Sequence, residues 1–317
     1  MTATKVVEVA AAVILRPDGS FLLARRPEGK VYAGWWEVPG GKVEAGEPPG
    51  AALARELHEE LGIDVQQVWP WLTRVFTYPH ATVRLNFFRV TDWTGEPHPR
   101  EGQALAWQKL GEPLLEPMLP ANAPILASLA LPSEYAVSAV ASLGPDEFLR
   151  RLEARLKGGL KLLQLREKQL PRHELLELAK KVCALAHRHG AKVILNGDAD
   201  LAAQAGADGV HLSAQQLIKL DARPDAALVG ASCHDEKELA HAMALGVDLA
   251  VLGPVNPTGS HPGATTMGWE GFARLARHAT LPVYAIGGLN PHDMEAAWRA
   301  GAHGVAMISA AWPGGVS

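Results

Sequence analysis

Only two cysteines, Cys183 and Cys233, occur in 317 residues, and neither has a CxxC or CxxH neighbour. A disulfide framework or a cysteine-held zinc site is therefore not expected, and the reducing cytoplasm fits this usage. A basic excess is also missing: 30 Lys and Arg stand against 34 Asp and Glu, a formal charge of −4. That balance lacks the footprint of a protein that grips duplex nucleic acid, so direct nucleic-acid binding is not expected. A small nucleotide needs only a local arginine or metal site. No apolar run reaches spanning length. The first, VVEVAAAVIL, is interrupted by Glu8 and has no basic segment ahead of it. It reads as a strand, neither signal peptide nor membrane anchor.

What is present is an ordinary globular composition, 48% hydrophobic and 20% charged, at a length that suggests about two domains. Pro113, Pro117, Pro120, Pro124 and Pro132 crowd one stretch, and beyond it long alternating strands give way to regularly alternating strands and helices. A boundary near residue 132 follows, giving units 1–131 and 132–317.

The most informative segment is GKVEAGEPPGAALARELHEELGI, from Gly41 to Ile63. Pro48 and Pro49 suit a first helical turn and Gly62 a left-handed helix end, so the spacing predicts a helix between them. On it Glu56, Glu59 and Glu60 stand at i, i+3 and i+4 and share one stripe, beside an apolar stripe of Leu53, Leu57 and Leu61. Two readings follow: a solvated acidic face balanced by Arg55, or a set of hard oxygen ligands for Mg2+, Mn2+ or Ca2+.

This spacing is that of a complete Nudix box, and the segment resembles the Nudix hydrolases. The resemblance implies that Glu56, Glu59 and Glu60 hold a divalent cation, Mg2+ first and Mn2+ as the alternative, with the Gly40 carbonyl joining them. Arg55 and Glu47 would keep loop and helix in register while water attacks a nucleoside-diphosphate-linked substrate. Segments 5–15, 20–26, 66–78 and 80–91 read as strands, so the first unit is expected to be an α+β Nudix sandwich, α/β/α in layering.

LLARRP, WWEVPGGKVEAGE, WTGEPHPREGQALAW and LPANAPILASL resemble the MutT branch, which hydrolyses oxidised guanine nucleoside triphosphates. That resemblance implies substrate contacts at Arg26, Glu37, Val38, Lys42 and Asn122, and a loop carboxylate, Glu101, close to the metal and the reaction. Alternatives stay open: Arg26 as a solvated strand-end charge, Glu101 as a solvated loop residue, Asn122 as the N-cap of the helix that follows. For base reading, Asn offers both acceptor and donor, matching the N7-hydrogen and O6 of 8-oxoguanine. Guanine itself presents two acceptors there.

Beyond Tyr135, YAVSAV, LKLLQLR, KVILN, GVHL, LVGASC, LAVLGPV, LPVYAIGG and GVAMIS read as strands, with helical patterns such as PDEFLRRLEARL and HELLELAKKVCALAHRH in the gaps. That alternation predicts a (β/α)8 TIM barrel with its chemistry at the C-terminal ends of the strands. QLREK, ADGVHL, GPVNPT, AIGGL and GAHGVAMIS resemble thiamin-phosphate synthase and its relative TenI, a thiazole tautomerase. Candidate residues are Gln164, Arg166, Lys168, Asn196, His234, Thr258, Gly287, Gly288 and Ser309, the last three for phosphate. The two glycines also read as simple tight turns, and His234 as a hydrogen-bonded structural residue.

The synthases carry acids where this chain has Asn196-Gly197 and Ser213-Ala214-Gln215-Gln216, and a lysine where it has His261. The resemblance therefore implies a tautomerase-like or phosphate-sensing barrel ahead of a condensing one, with His234 as proton shuttle. The expected partners are a small nucleotide and a thiamin-pathway phosphate ligand in the barrel; oligomeric state is left open.

Overall fold

The computed structural model describes residues 6–79, 81–259, 263 and 265–314. Lys5 and His80, at the ends of two expected strands, and His261 lie outside them. The chain folds as two units, Met1–Ala130 and Leu131–Ser317.

The first unit runs β1 (Val6–Ile14), β2 (Phe21–Arg25), β3 (Trp36–Glu37), β4 (Gly40–Lys42), α1 (Pro49–Leu61), β5 (Asp64–Tyr78), β6 (Ala81–Thr94), β7 (Ala104–Gln108) and α2 (Ala123–Leu129). One sheet is ordered β4-β1-β6-β5, with β1 parallel to β6 and the other pairs antiparallel; a second is β3-β2-β7. Alternation along β1 separates the layers. Ala10, Ala12 and Ile14 meet Leu53, Leu57 and Leu61 of α1, while Ala11 and Val13 belong with Ile125 and Leu126 of α2 to a second core. This is the expected α/β/α sandwich. The long strands fall where alternation placed them, whereas β3, β4 and β7 add pairing that the expectation did not include.

The second unit runs β8 (Glu134–Val137), α3 (Val140–Leu143), α4 (Pro145–Lys157), β9 (Leu162–Leu165), α5 (Arg172–Arg188), β10 (Lys192–Asn196), α6 (Ala199–Ala205), β11 (Gly209–Leu212) and α7 (Ala214–Leu217). It continues with β12 (Leu228–Cys233), α8 (Glu236–Leu245), β13 (Leu249–Leu252), α9 (Gly268–Ala276), β14 (Val283–Ile286), α10 (Met294–Arg299) and β15 (Gly304–Met307). The eight strands close into a barrel through parallel pairs, β15 returning to β8. Tyr135, Leu162, Ile194, Leu249, Val251, Tyr284 and Ala306 fill its interior. Several strands stop earlier than expected. YAVSAV ends at Val137 because Val140 already opens α3, and LPVYAIGG ends at Ile286 because Gly287 and Gly288 take φ of 109° and 60°.

Candidate functional site

Helix α1 forms where proline and glycine bracket it, and Gly62 closes it at φ 69° with its N–H on the His58 carbonyl. Its leucines are fully buried, which turns the acidic stripe away from the core. Arg55 organises that stripe. Its guanidinium spans both Glu47 oxygens at 3.2 and 3.1 Å, Glu56 at 3.0 Å, Glu59 at 3.3 Å and the Lys42 carbonyl at 3.2 Å. Loop and helix are thereby tied together, as the resemblance implied for Arg55 and Glu47.

The glycine turn before the helix has steric reasons. Gly40 takes φ 146° against β1, where a methyl group would overlap the Ala10 carbonyl. A methyl on Gly41 would overlap the Glu56 carboxylate. Glycine is thus what lets a carboxylate from α1 lie directly on the β4 backbone.

A loop after β6 brings in the distant acid. His98 and Arg100 donate backbone N–H groups to the Leu61 and Glu60 carbonyls, Arg100 Nη1 reaches the His58 carbonyl at 3.0 Å, and Gln103 Nε2 the Glu60 carbonyl at 2.9 Å. The orphan carbonyls of the helix end are satisfied in this way. Gln103 also accepts the Glu101 N–H at 2.7 Å, which sets Glu101 beside the stripe. The electrostatic result falls on Glu60. Burial first, then the charges of Glu101, Glu56 and Glu37, raise its carboxyl to about 7.

Among the described residues no three His, Cys, Asp or Glu side chains converge as a ready cation cage. Arg55 instead binds Glu56 and Glu59 through one of its nitrogens. The donor set nonetheless suits a hard divalent ion: it is all oxygen, its charges repel, and a lone lysine, Lys30, offsets them at Glu60. Glu56, Glu59, Glu60 and Glu101 are the side chains that would hold such an ion.

The substrate candidates lie on the neighbouring elements. Arg26 binds both Glu37 oxygens, at 3.0 and 2.8 Å, and is therefore paired, not a free strand-end charge. Burial raises the Glu37 carboxyl against the opposing pull of Arg26. Val38 is 5% and Asn122 3% exposed. Asn122 occupies the N-cap position of α2, but its side chain makes no capping bond, because its backbone is already helical at φ −93°, ψ −27°.

Four aromatic residues not singled out in the sequence gather nearby. Tyr78 contacts Tyr32 at 5.5 Å and Phe76 at 4.6 Å between ring centroids, and Tyr32 contacts Trp35 at 5.2 Å. Burial and the Glu37 charge raise the Tyr78 hydroxyl, which hydrogen-bonds with the Ala121 backbone next to Asn122. The i, i+2 spacing of Phe76 and Tyr78 was a readable signal; the φ of 60° that turns Tyr32 inward was not.

In the barrel, Gln164 donates to Asn196 at 3.3 Å across β9 and β10. Arg166, then burial, lowers the Lys168 pKa. Glu167 between them is committed to the Ser138 hydroxyl and to the N–H groups of Val140 and Ala141. A cavity of about 230 Å³ opens there, lined among others by Lys168, Asn196 and the ion-paired Arg172 and Asp198.

Where an acid was missing, a neutral bridge stands. Gln216 donates to the Gly197 carbonyl at 2.6 Å and accepts from the Ser213 N–H and hydroxyl. His234 Nδ1 pairs with Glu238 at 2.9 Å. Gly287 and Gly288 pack against the 254–257 loop so closely that a methyl on either would overlap Pro254 or the Pro257 carbonyl. Thr258 lies on the loop after β13, and Ser309 is exposed after β15. A chain of contacts with no spacing signal in the sequence runs through the barrel, Tyr135 hydroxyl to His211 Nδ1 at 3.1 Å and His211 Nε2 to the Ser232 hydroxyl at 3.0 Å.

Comparison with known proteins identifies both units. The thiamine monophosphate synthase model matches residues 134–311 and the NUDIX domain model residues 5–129. The chain belongs to the thiamine monophosphate synthase family and carries a Nudix domain ahead of it. A thiamine-phosphate synthase of Thioalkalivibrio sulfidiphilus is 38% identical over 181 residues, 55% of this chain and 85% of that protein. The solved ORF135 protein of E. coli is 40% identical, covering 40% of this chain and 89% of its own, at a TM-score of 0.36. A MutT structure from work on Aliivibrio salmonicida and Vibrio cholerae is 34% identical, covering 39% and 97%, at 0.33.

The first unit is accordingly a Nudix hydrolase domain, which acts on nucleoside-diphosphate-linked compounds, and the second resembles thiamine-phosphate synthase. Among the described residues no helix is long and apolar enough to cross a membrane.

Proposed function

We propose that the Nudix domain is a Mg2+-dependent nucleoside triphosphate pyrophosphohydrolase that converts 8-oxo-dGTP or 8-oxo-GTP to monophosphate and pyrophosphate, clearing oxidised nucleotides. The observation that carries this reading is Asn122: an almost fully buried amide that caps nothing, beside Tyr78 and the Arg26–Glu37 pair. A buried amide facing the wrong pattern of donors costs about 1–3 kcal/mol per group, which separates the oxidised base from guanine.

The protein's own groups do the rest. Arg55 holds the acidic stripe over the glycine turn, Glu101 enters from its loop, and the carboxylates orient water for attack on phosphorus. A bound divalent ion lowers the pKa of that water and offsets phosphate charge. Steady-state hydrolysis of 8-oxo-dGTP and dGTP with Mg2+ is the test. The specificity constant is expected to favour the oxidised nucleotide, and Glu56→Gln to remove most turnover. Equal constants would sink the substrate assignment, and an active Glu56→Gln the site.

For the barrel, the Gln216 bridge favours a phosphate-binding, tautomerase-like role over condensation, because it ties up with neutral groups the positions where metal-holding acids would stand. Glu238 fixes one nitrogen of His234, leaving the other for proton transfer at a strand end. Assays with thiazole phosphate, alone and with hydroxymethylpyrimidine pyrophosphate, separate the two. Isomerisation lost in His234→Asn is expected, and condensation would overturn it.

A further inference from the structure

Burying a guanidinium without a counter-charge is costly, so an unpaired one on a ligand-facing surface suggests that a ligand completes it. Arg74 comes close to this, being half-buried in β5. It lies in β5 opposite Leu85 of β6, and the strand registers carry that row through Val9 of β1 to Lys42 of β4. Alternation puts it on the face of Leu72, Phe76 and Tyr78, which packs with Ala121, Ile125 and Leu126 around Asn122. Its Nε is buried without a hydrogen-bond partner, and among the described residues no carboxylate pairs with it. Burial alone shifts its pKa, downward, with no charge acting to restore it.

The row also gives a distance. Three interstrand steps of about 4.8 Å separate the Arg74 and Lys42 backbones by roughly 14 Å. The Lys42 carbonyl is bound by Arg55 at the acidic stripe, so under the hydrolase reading that end of the row would face the phosphates. The separation is comparable to the reach of an extended nucleoside triphosphate, and it places Arg74 at the base.

We propose that Arg74 determines specificity by donating hydrogen bonds to a keto oxygen of the nucleobase, selecting keto purines over adenine. This rests on reading the Nudix domain as a nucleoside triphosphate hydrolase. A guanidinium only donates, and adenine offers an amino group where guanine and its oxidised form offer O6. Asn122 and Arg74 then meet at O6, whose two lone pairs can accept from both, while Asn122 alone reads the hydrogen at N7.

The test uses the full chain with 8-oxo-dGTP, dGTP and dATP, comparing wild type with Arg74→Met, which keeps an unbranched apolar stem and loses every donor, and Arg74→Lys, which restores a charged donor group. Arg74→Met is expected to raise KM for both keto purines about tenfold to a hundredfold, with kcat and the dATP constants little changed. Arg74→Lys should recover part of the loss, and the thermal midpoint of Arg74→Met should hold or rise, since a half-buried charge without a counter-charge is gone. An equal loss on all three nucleotides, or unchanged KM for both keto purines, overturns the proposal. Wild type that treats 8-oxo-dGTP and dGTP alike sinks the Asn122 reading alone, because the dGTP–dATP contrast still decides Arg74. No turnover of any of the three removes both.

Discussion

Gly41 shows how one hydrogen atom can set the place of a carboxylate. With a methyl group in its place the Glu56 carboxylate must move, yet that carboxylate is the free end of a side chain, so the fold has little to lose. Gly41→Ala is therefore expected to cut kcat by about a hundredfold or more, the scale of an ångström's misplacement, while the thermal midpoint stays close to wild type. A melting curve beside steady-state kinetics checks this, and unimpaired kcat would mean that Glu56 need not lie on the turn. At this scale the sequence was legible wherever spacing carries geometry: Glu56, Glu59 and Glu60 on one stripe, Arg55 beside them. It was silent where contact decides. Nothing in the residue string shows that Arg55 holds two of those carboxylates, that Asn122 leaves α2 uncapped, or that Arg74 lacks a partner.

Among elements, the loop after β6 has the largest leverage because it closes the α1 C-terminus and delivers Glu101 in the same stroke. Removing Gln103 unties both, through its bonds to the Glu60 carbonyl and the Glu101 N–H. Gln103→Ala should cost about 1–3 kcal/mol in denaturant unfolding, as expected for stranding buried partners. It should also raise the Mg2+ concentration for half-maximal turnover severalfold, as Glu101 drifts from the stripe. Lost stability with unchanged metal dependence would show that the loop is only a cap. Helix α1 and the long strands are legible in the sequence because three or more alternations or helical turns fix a period. Strands β3 and β4, two and three residues long, are not legible, since no period exists at that length, nor is β7, whose pairing with β2 is settled by partner and not by pattern.

On the scale of the whole chain, Glu60 and His211 should make the two units answer to pH in opposite directions. The eightfold strand rhythm was legible because each barrel strand is a short apolar run between turn signals, and the boundary because the rhythm changes at the proline cluster. The charges inside each unit were not, because burial depends on the closed fold. In the Nudix domain without metal, Glu60 is raised to about 7, so the native state keeps a proton that the unfolded chain has released. That contribution is complete below the unfolded value of 4.5 and fades as pH rises through 7. In the barrel, His211 is lowered from 6.5 to about 3, by burial first and Arg166 second. Its native state refuses a proton that the unfolded chain accepts, so stability is complete above 6.5 and falls toward 3, by at most about 1.4 kcal/mol per pH unit. Calorimetry of the full chain in chelator, from pH 5 to pH 8, should show one transition moving down and the other up. Glu60→Gln should flatten the first slope and His211→Gln the second, each leaving the other transition in place, since the two groups lie in separate units. Parallel slopes that neither substitution changes would mean that these two buried groups do not govern the response.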